Sequence, residues 1–168
     1  MQQKAISIME RHRVMAIATL RADGWPQTTM VGYVNNELEL YFLISRSSQK
    51  FLNVGVDDRV SIAIGSDATD PAMIEGLSMA AHVSEVRDEP YRSQFCALLS
   101  QRHPGYFKAE TLDFKASALM RARPQFISIV NFSKGLGHSD GITVGAQDLV
   151  EMNPARADNW GPKPKTGP

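Results

Sequence analysis

Residues Val14–Lys50 read VMAIATLRADGWPQTTMVGYVNNELELYFLISRSSQK, and the pattern of this stretch decides the fold class. Val14–Leu20, roughly Gln27–Val34, and Leu38–Ile44 are rich in β-branched and aromatic residues, alternating or running apolar as strands do. Asp23-Gly24 and Asn35-Asn36 separate them, and both are good tight-turn pairs. The stretch therefore predicts a three-stranded antiparallel meander. Pro26 enters the second strand at its first residue, where a missing N–H donor is tolerated. After the third strand, Ser45-Arg46-Ser47-Ser48-Gln49-Lys50 opens a helix. Free amides at a helix start, hydroxyls and an ammonium can converge there on a phosphate. A solvated helix cap is the plainer reading of the same residues.

Working outward, Gln3–His12 places Ile6 and Met9 at helical spacing and predicts a short amphipathic helix closing one end of a barrel. Ser47–Val54 reads as a serine-capped helix. Val60–Gly65 and Met73–Val86 alternate as a fourth and a long fifth strand. A helix follows from Glu89-Pro90 through Tyr91–Arg102, and His103-Pro104-Gly105 stops it. A second short helix is expected from Tyr106-Phe107 through Leu119, and Gln125–Phe132 alternates as the sixth strand. Strands and helices without β-α-β alternation describe an α+β, mainly β protein built on a six-stranded antiparallel barrel with flanking helices. Residues 1–145 form the expected domain and residues 146–168 an extended or flexible C-terminal tail.

A chain of 168 residues suits one domain with a sizeable core. A formal net charge of zero gives no global attraction to nucleic acid or anionic membrane, so binding has to be local. The single cysteine, Cys96, lies in an apolar run and reads as a buried core residue in a reducing compartment. No apolar run reaches the length of a membrane span or a signal h-region, so a cytoplasmic location is expected. The four histidines share no metal-ligand spacing, and no metal is expected.

The order Asp23-Gly24-Trp25-Pro26, strand, turn, Leu40-Tyr41-Phe42, Ser48-Gln49-Lys50 and Val60-Ser61-Ile62-Ala63-Ile64 resembles the flavin-binding split-barrel family typified by pyridoxamine 5'-phosphate oxidase. The resemblance extends more weakly over Leu77–Val86 and Pro124–Phe132. It implies a six-stranded split barrel, a homodimer, and FMN in a groove at the subunit interface. It also implies that Ser48, Gln49 and Lys50 hold the phosphate, with Thr29 where the family often places an arginine. Ile44 and Ser45 would flank the ribityl chain. Met30, Val31 and Gly32 would run along the flavin ring, although Met30 and Val31 read equally well as barrel core. Gln49 stands where a second cation is common, and Arg46 is a candidate to compensate.

The family's type enzymes end in a segment whose arginine and histidine hold the substrate; Asn159-Trp160-Gly161-Pro162-Lys163-Pro164-Lys165 has no such motif. Ser133-Lys134-Gly135-Leu136-Gly137-His138 is similar to a Gly-rich turn in split-barrel relatives that include haem-utilisation proteins. Lys134 and His138 are therefore substrate-side candidates, or residues of an exposed turn. The resemblance implies an FMN-dependent oxidoreductase acting on a small molecule. The alternatives are a flavin- or haem-binding protein without a redox substrate, and a deazaflavin-dependent reductase.

Overall fold

The computed structural model describes residues 1–65, 67–106, 108–135, 138–144 and 149–152. The elements in chain order are α1 (Gln2–Arg11), β1 (Val14–Leu20), β2 (Pro26–Gly32), β3 (Val34–Asn36), β4 (Glu39–Ser45) and α2 (Gln49–Val56). They continue with β5 (Arg59–Gly65), β6 (Glu75–Glu85), α3 (Tyr91–Arg102), β7 (Ser117–Asn131), β8 (Ser139–Val144) and β9 (Leu149–Met152). All strands join one antiparallel sheet in the order β2-β1-β5-β6-β7-β4-β3, with β8 on β7 and β9 on β8. This is the expected mainly β split barrel, with nine strands among the described residues rather than six.

The meander expected from Val14–Lys50 is where sequence and structure part. β1 and β2 form a hairpin in register from Val14↔Gly32 to Leu20↔Pro26, turning at Gly24 with a φ of 82° that glycine adopts freely. The expected second strand is then broken at Tyr33. That side chain is fully buried, its hydroxyl donates to the Met9 carbonyl at 2.8 Å, and its amide donates to the Arg13 carbonyl at 3.1 Å. The chain bends there, and β3 leaves β1 to pair with β4, Val34 opposite Tyr41. The turn falls at Glu37, with a φ of 52°, rather than at Asn35-Asn36. β2 and β4 lie near each other without being neighbours in the ladder, so the barrel is split between them.

Side-chain alternation sorts the residues onto two faces. Met15 and Ile17 of β1, Leu40, Phe42 and Ile44 of β4, and Ala118, Met120 and Ala122 of β7 point into the barrel. Ala5, Ile8 and Met9 of α1 plug it. On the outer face Tyr41 and Leu119 meet Phe95, Cys96 and Leu99 of α3 in a second core. Cys96 is buried there as expected, and burial pushes its thiol up to about 11.

The segment expected as a helix through Leu119 instead holds a single 3-10 turn, Ala109–Thr111, after which β7 has already begun. β7 runs through Pro124 and begins eight residues before the expected start at Gln125. One edge of β7 is shared between β4, which ends opposite Ala122, and β8, which begins opposite Phe126. Pro124 falls in that gap, and a bulge on the β6 side shifts the register between Ala80 and Ala81. Beyond Ser133 the chain forms β8 and β9, strands outside the expected six, and Leu149–Met152 pairs with β8. The rest of the expected tail, residues 146–148 and 153–168, lies outside the described residues, with the Asn159–Lys165 segment.

Candidate functional site

β4 and α2 position the Ser45–Lys50 cluster at the end of the barrel where β4 leaves the sheet. Ser48 caps α2: its side chain accepts from the Phe51 amide at 3.3 Å and its hydroxyl donates to the Ser45 carbonyl at 2.7 Å. Ser45 and Ser47 share a hydroxyl contact of 2.8 Å. The cap leaves the amides of Gln49 and Lys50 in the first turn, one turn ahead of any intrahelical acceptor. Lys50 is half-buried and makes no hydrogen bond or ion pair with another described residue; burial lowers its pKa. An ammonium withdrawn from water without a counter-charge is stabilised by an anion placed beside it.

A buried polar chain anchors α2 to the β1–β2 hairpin. Gln49 donates to Asn53 at 2.9 Å, and Asn53 donates to Thr19 at 2.9 Å and to Gln27 at 3.2 Å. Asn53 and Thr19 are buried, yet the sequence reading singled out neither. The available signal was a polar residue between Phe51 and Val54, the partly buried apolar residues of a short helix. Gln27 and Thr29 lie two apart on β2 and share the face that meets this chain. The Thr29 hydroxyl is buried with no hydrogen-bond partner. Asn53, in the middle of α2, reaches β2 at Gln27, and Thr29 lies mid-strand two residues further on.

The remaining candidates divide between the two faces of β2 and β4. Val31 and Ile44 are buried in the barrel core, while Met30 points outward and is 66% exposed. Gly32 does permit a close approach, but by a side chain: a Cβ there would lie 3.0 Å from the His103 ring. His103 makes a 3.0 Å hydrogen bond to the Tyr33 carbonyl. β2 is an edge strand, so the backbone groups facing away from β1 have no ladder partner. Arg46 is committed elsewhere. Its guanidinium pairs with Glu85, donates to the Phe114 carbonyl at 3.0 Å, and holds the Glu85 carboxyl below its usual range.

Lys134 and His138 come together through a residue the sequence reading missed. Asp140 on β8 accepts from Lys134 at 3.0 Å and lies 3.2 Å from His138 Nε2. Chiefly the Lys134 hydrogen bond lowers the Asp140 pKa. Between them, Leu136 and Gly137 lie outside the described residues. Ser139 is opposite Val130 near the end of β7, whereas Ser45 is opposite Ser117 at its start. Within one chain the Asp140 cluster and the Lys50 cluster therefore occupy opposite ends of β7. None of three surface hollows of about 380–570 Å³ is lined by a candidate residue.

The sequence of residues 1–131 matches the profile of pyridoxamine 5'-phosphate oxidase. The chain belongs to that family. No curated protein matches it in sequence. Among solved structures, the haem storage protein HutZ of Vibrio cholerae is similar at 23% identity and a TM-score of 0.62, covering 73% of this chain and 89% of that one. ChuZ of Campylobacter jejuni gives 18% and 0.71, covering 92% of this chain and 64% of its own. An F420 reductase gives 24% and 0.60, covering 73% and 94%. These likenesses establish the fold of this pyridoxamine 5'-phosphate oxidase family member. Among its described residues, no helix is long and apolar enough to cross a membrane.

Proposed function

We propose that this family member is an FMN-binding oxidoreductase acting on a small molecule as a homodimer, with one flavin at each subunit interface. The observation that carries the reading is the unpaired, half-buried Lys50 ammonium at the capped start of α2. Lys50 and the first-turn amides would hold the phosphate, the Ser48 hydroxyl would join them by exchanging its bond to the Ser45 carbonyl, and the orphaned Thr29 hydroxyl would supply a further donor. Gln49 would assist only while also serving Asn53. Ser45 and the backbone of Ile44 would flank the ribityl chain, and the open edge of β2 from Met30 to Gly32 would offer its amides and carbonyls to the ring. Flavin, when bound, supplies hydride or electron transfer; the chain supplies position and local charge.

The dimer interface does not fall on the long apolar strands. Leu38–Ile44 and Gln125–Phe132 are already covered within the protomer, with Leu40, Phe42, Ile127 and Ile129 at most 1% exposed. Trp25, Met30, Leu52 and Val56 are the exposed apolar side chains on the β2 and α2 side, and they support an interface there.

Haem binding through His138 is the competing reading, supported by the fold shared with HutZ. Against it, His138 Nε2 is already engaged by Asp140. Titration of the purified protein with FMN, riboflavin and haem separates the two. The flavin reading expects a visible doublet, tighter binding of FMN than of riboflavin, and bleaching on addition of NADH or NADPH. A Soret band with no flavin binding would overturn it. Light scattering of the FMN-loaded protein should give twice the chain mass.

A further inference from the structure

The outer face of the sheet carries a second polar hollow, unrelated to the flavin reading. Its volume is about 380 Å³, within the range of small-molecule sites. Tyr41 and Arg121 form its floor as register partners on β4 and β7. Tyr91 and Phe95 of α3 form one wall, Phe95 stacked on Tyr41 with ring centroids 3.6 Å apart. Glu39, Glu85 and Asp88 complete the rim.

The charges there are unevenly satisfied. Glu85 is taken by Arg46 and Arg87, and Glu39 accepts the Tyr41 phenol at 2.7 Å. Asp88 forms no ion pair among the described residues; Arg121 has none either, its polar partner being the Tyr41 hydroxyl, although three carboxylates share its cavity. Arg121 Nε is buried without an acceptor, so the fold satisfies this guanidinium incompletely. A purely cationic ligand would leave the Arg121 charge without an anion. A purely anionic ligand would face Glu39 and Asp88.

We infer that this hollow binds a free aromatic α-amino acid, its carboxylate on Arg121, its ammonium between Glu39 and Asp88, and its ring against Tyr91 and Phe95. A guanidinium meets a carboxylate with paired, charge-assisted hydrogen bonds, so removing that group should be the most damaging change. Tyr91 is 60% exposed, which leaves the ring an entry path.

Calorimetry on the full chain with three probes tests the inference. L-Phenylalanine should bind with one site per chain. L-Phenylalaninamide, which lacks the carboxylate, and 3-phenylpropionate, which lacks the ammonium, should each bind at least about tenfold more weakly. Arg121→Gln should lose at least tenfold for L-phenylalanine. Tyr91→Ala and Asp88→Asn alter exposed side chains, so they test the location even if the Arg121 variant fails to fold. Each should weaken L-phenylalanine severalfold. No heat with L-phenylalanine at millimolar concentration, equal binding of either analogue, or unchanged binding in both exposed variants would overturn the assignment.

Discussion

Replacing Lys50 with methionine should push stability and binding in opposite directions. In the free protein the ammonium is half-buried without a counter-charge, and its pKa is lowered by burial alone. Folding thus charges a group in a poorer environment than water, and Lys50→Met, which keeps the stem and removes the charge, should leave the apo melting temperature unchanged or slightly higher. The pH sign follows from the same shift. Between the lowered native pKa and the ordinary 10.5 the unfolded chain holds more protons, so wild-type stability gains from Lys50 as pH rises through that window. The variant should lack that gain. With a phosphate present the balance reverses. The charge-assisted contact is worth ~1.5–3 kcal/mol, so the variant should bind FMN roughly ten- to a hundredfold more weakly. Riboflavin, which has no phosphate, should be nearly indifferent. Fluorescence titration with both ligands and apo melts from neutral to alkaline pH measure all three quantities. Equal weakening of both flavins, weakening of neither, or a destabilised apo protein would refute the reasoning.

Asn53→Ala should strip Thr19, Gln27 and Gln49 of their shared partner and cost ~2 kcal/mol, roughly 4–8 °C in Tm by calorimetry. Gly32→Ala should cost ~1 kcal/mol by displacing the His103 ring, and most of that cost should vanish in a His103→Ala background, as a double-mutant cycle in urea would read. Asp140→Asn should destabilise the protein at neutral pH. Because the native Asp140 pKa is depressed, its contribution is present above the ordinary 3.8 and is lost as pH falls through the native value, so melts of variant and wild type should converge in acid. The same variant should leave FMN affinity unchanged, since Asp140 and Lys50 lie at opposite ends of β7 in each chain.

Much of the barrel was legible because its strands carry period-2 patterns bounded by turn pairs. Val14–Leu20 and Arg59–Gly65 emerged with bounds within a residue of those read. The break at Tyr33 was not legible. Nothing local distinguishes Tyr33 from its neighbours; the carbonyl of Met9 and the space within the barrel stop the strand. The first half of β7, before Gln125, was not legible for a related reason, since the tolerance of Pro124 within the strand depends on β4 ending and β8 beginning beside it. The serine cap of α2 and the Lys50 position were visible as local chemistry. The Asn53 chain and the Asp140 cluster join residues from separate elements, and a linear reading has no means of pairing them. Arg46 reads as a phosphate ligand by sequence position, but the spatial proximity of Glu85 claims it.

The placement of β4 has a consequence for how the chain is made. Leu40, Phe42 and Ile44 face one core and Tyr41 the other, so the strand is apolar on both sides. Apart from the three-residue β3, its ladder partner is β7, with Leu40 opposite Ala122 about eighty residues later. A ribosome adding ~5–20 residues per second leaves this strand without its partner for roughly 4–16 s. The β1–β2 hairpin and β5 can assemble in that interval, but the barrel wall cannot close on its other side. Long-range pairing of this kind folds slowly and exposes strand edges meanwhile. Ribosome-bound chains truncated before Ser117 should therefore be the most aggregation-prone species in the life of this protein, and those extended past Asn131 should be markedly less so.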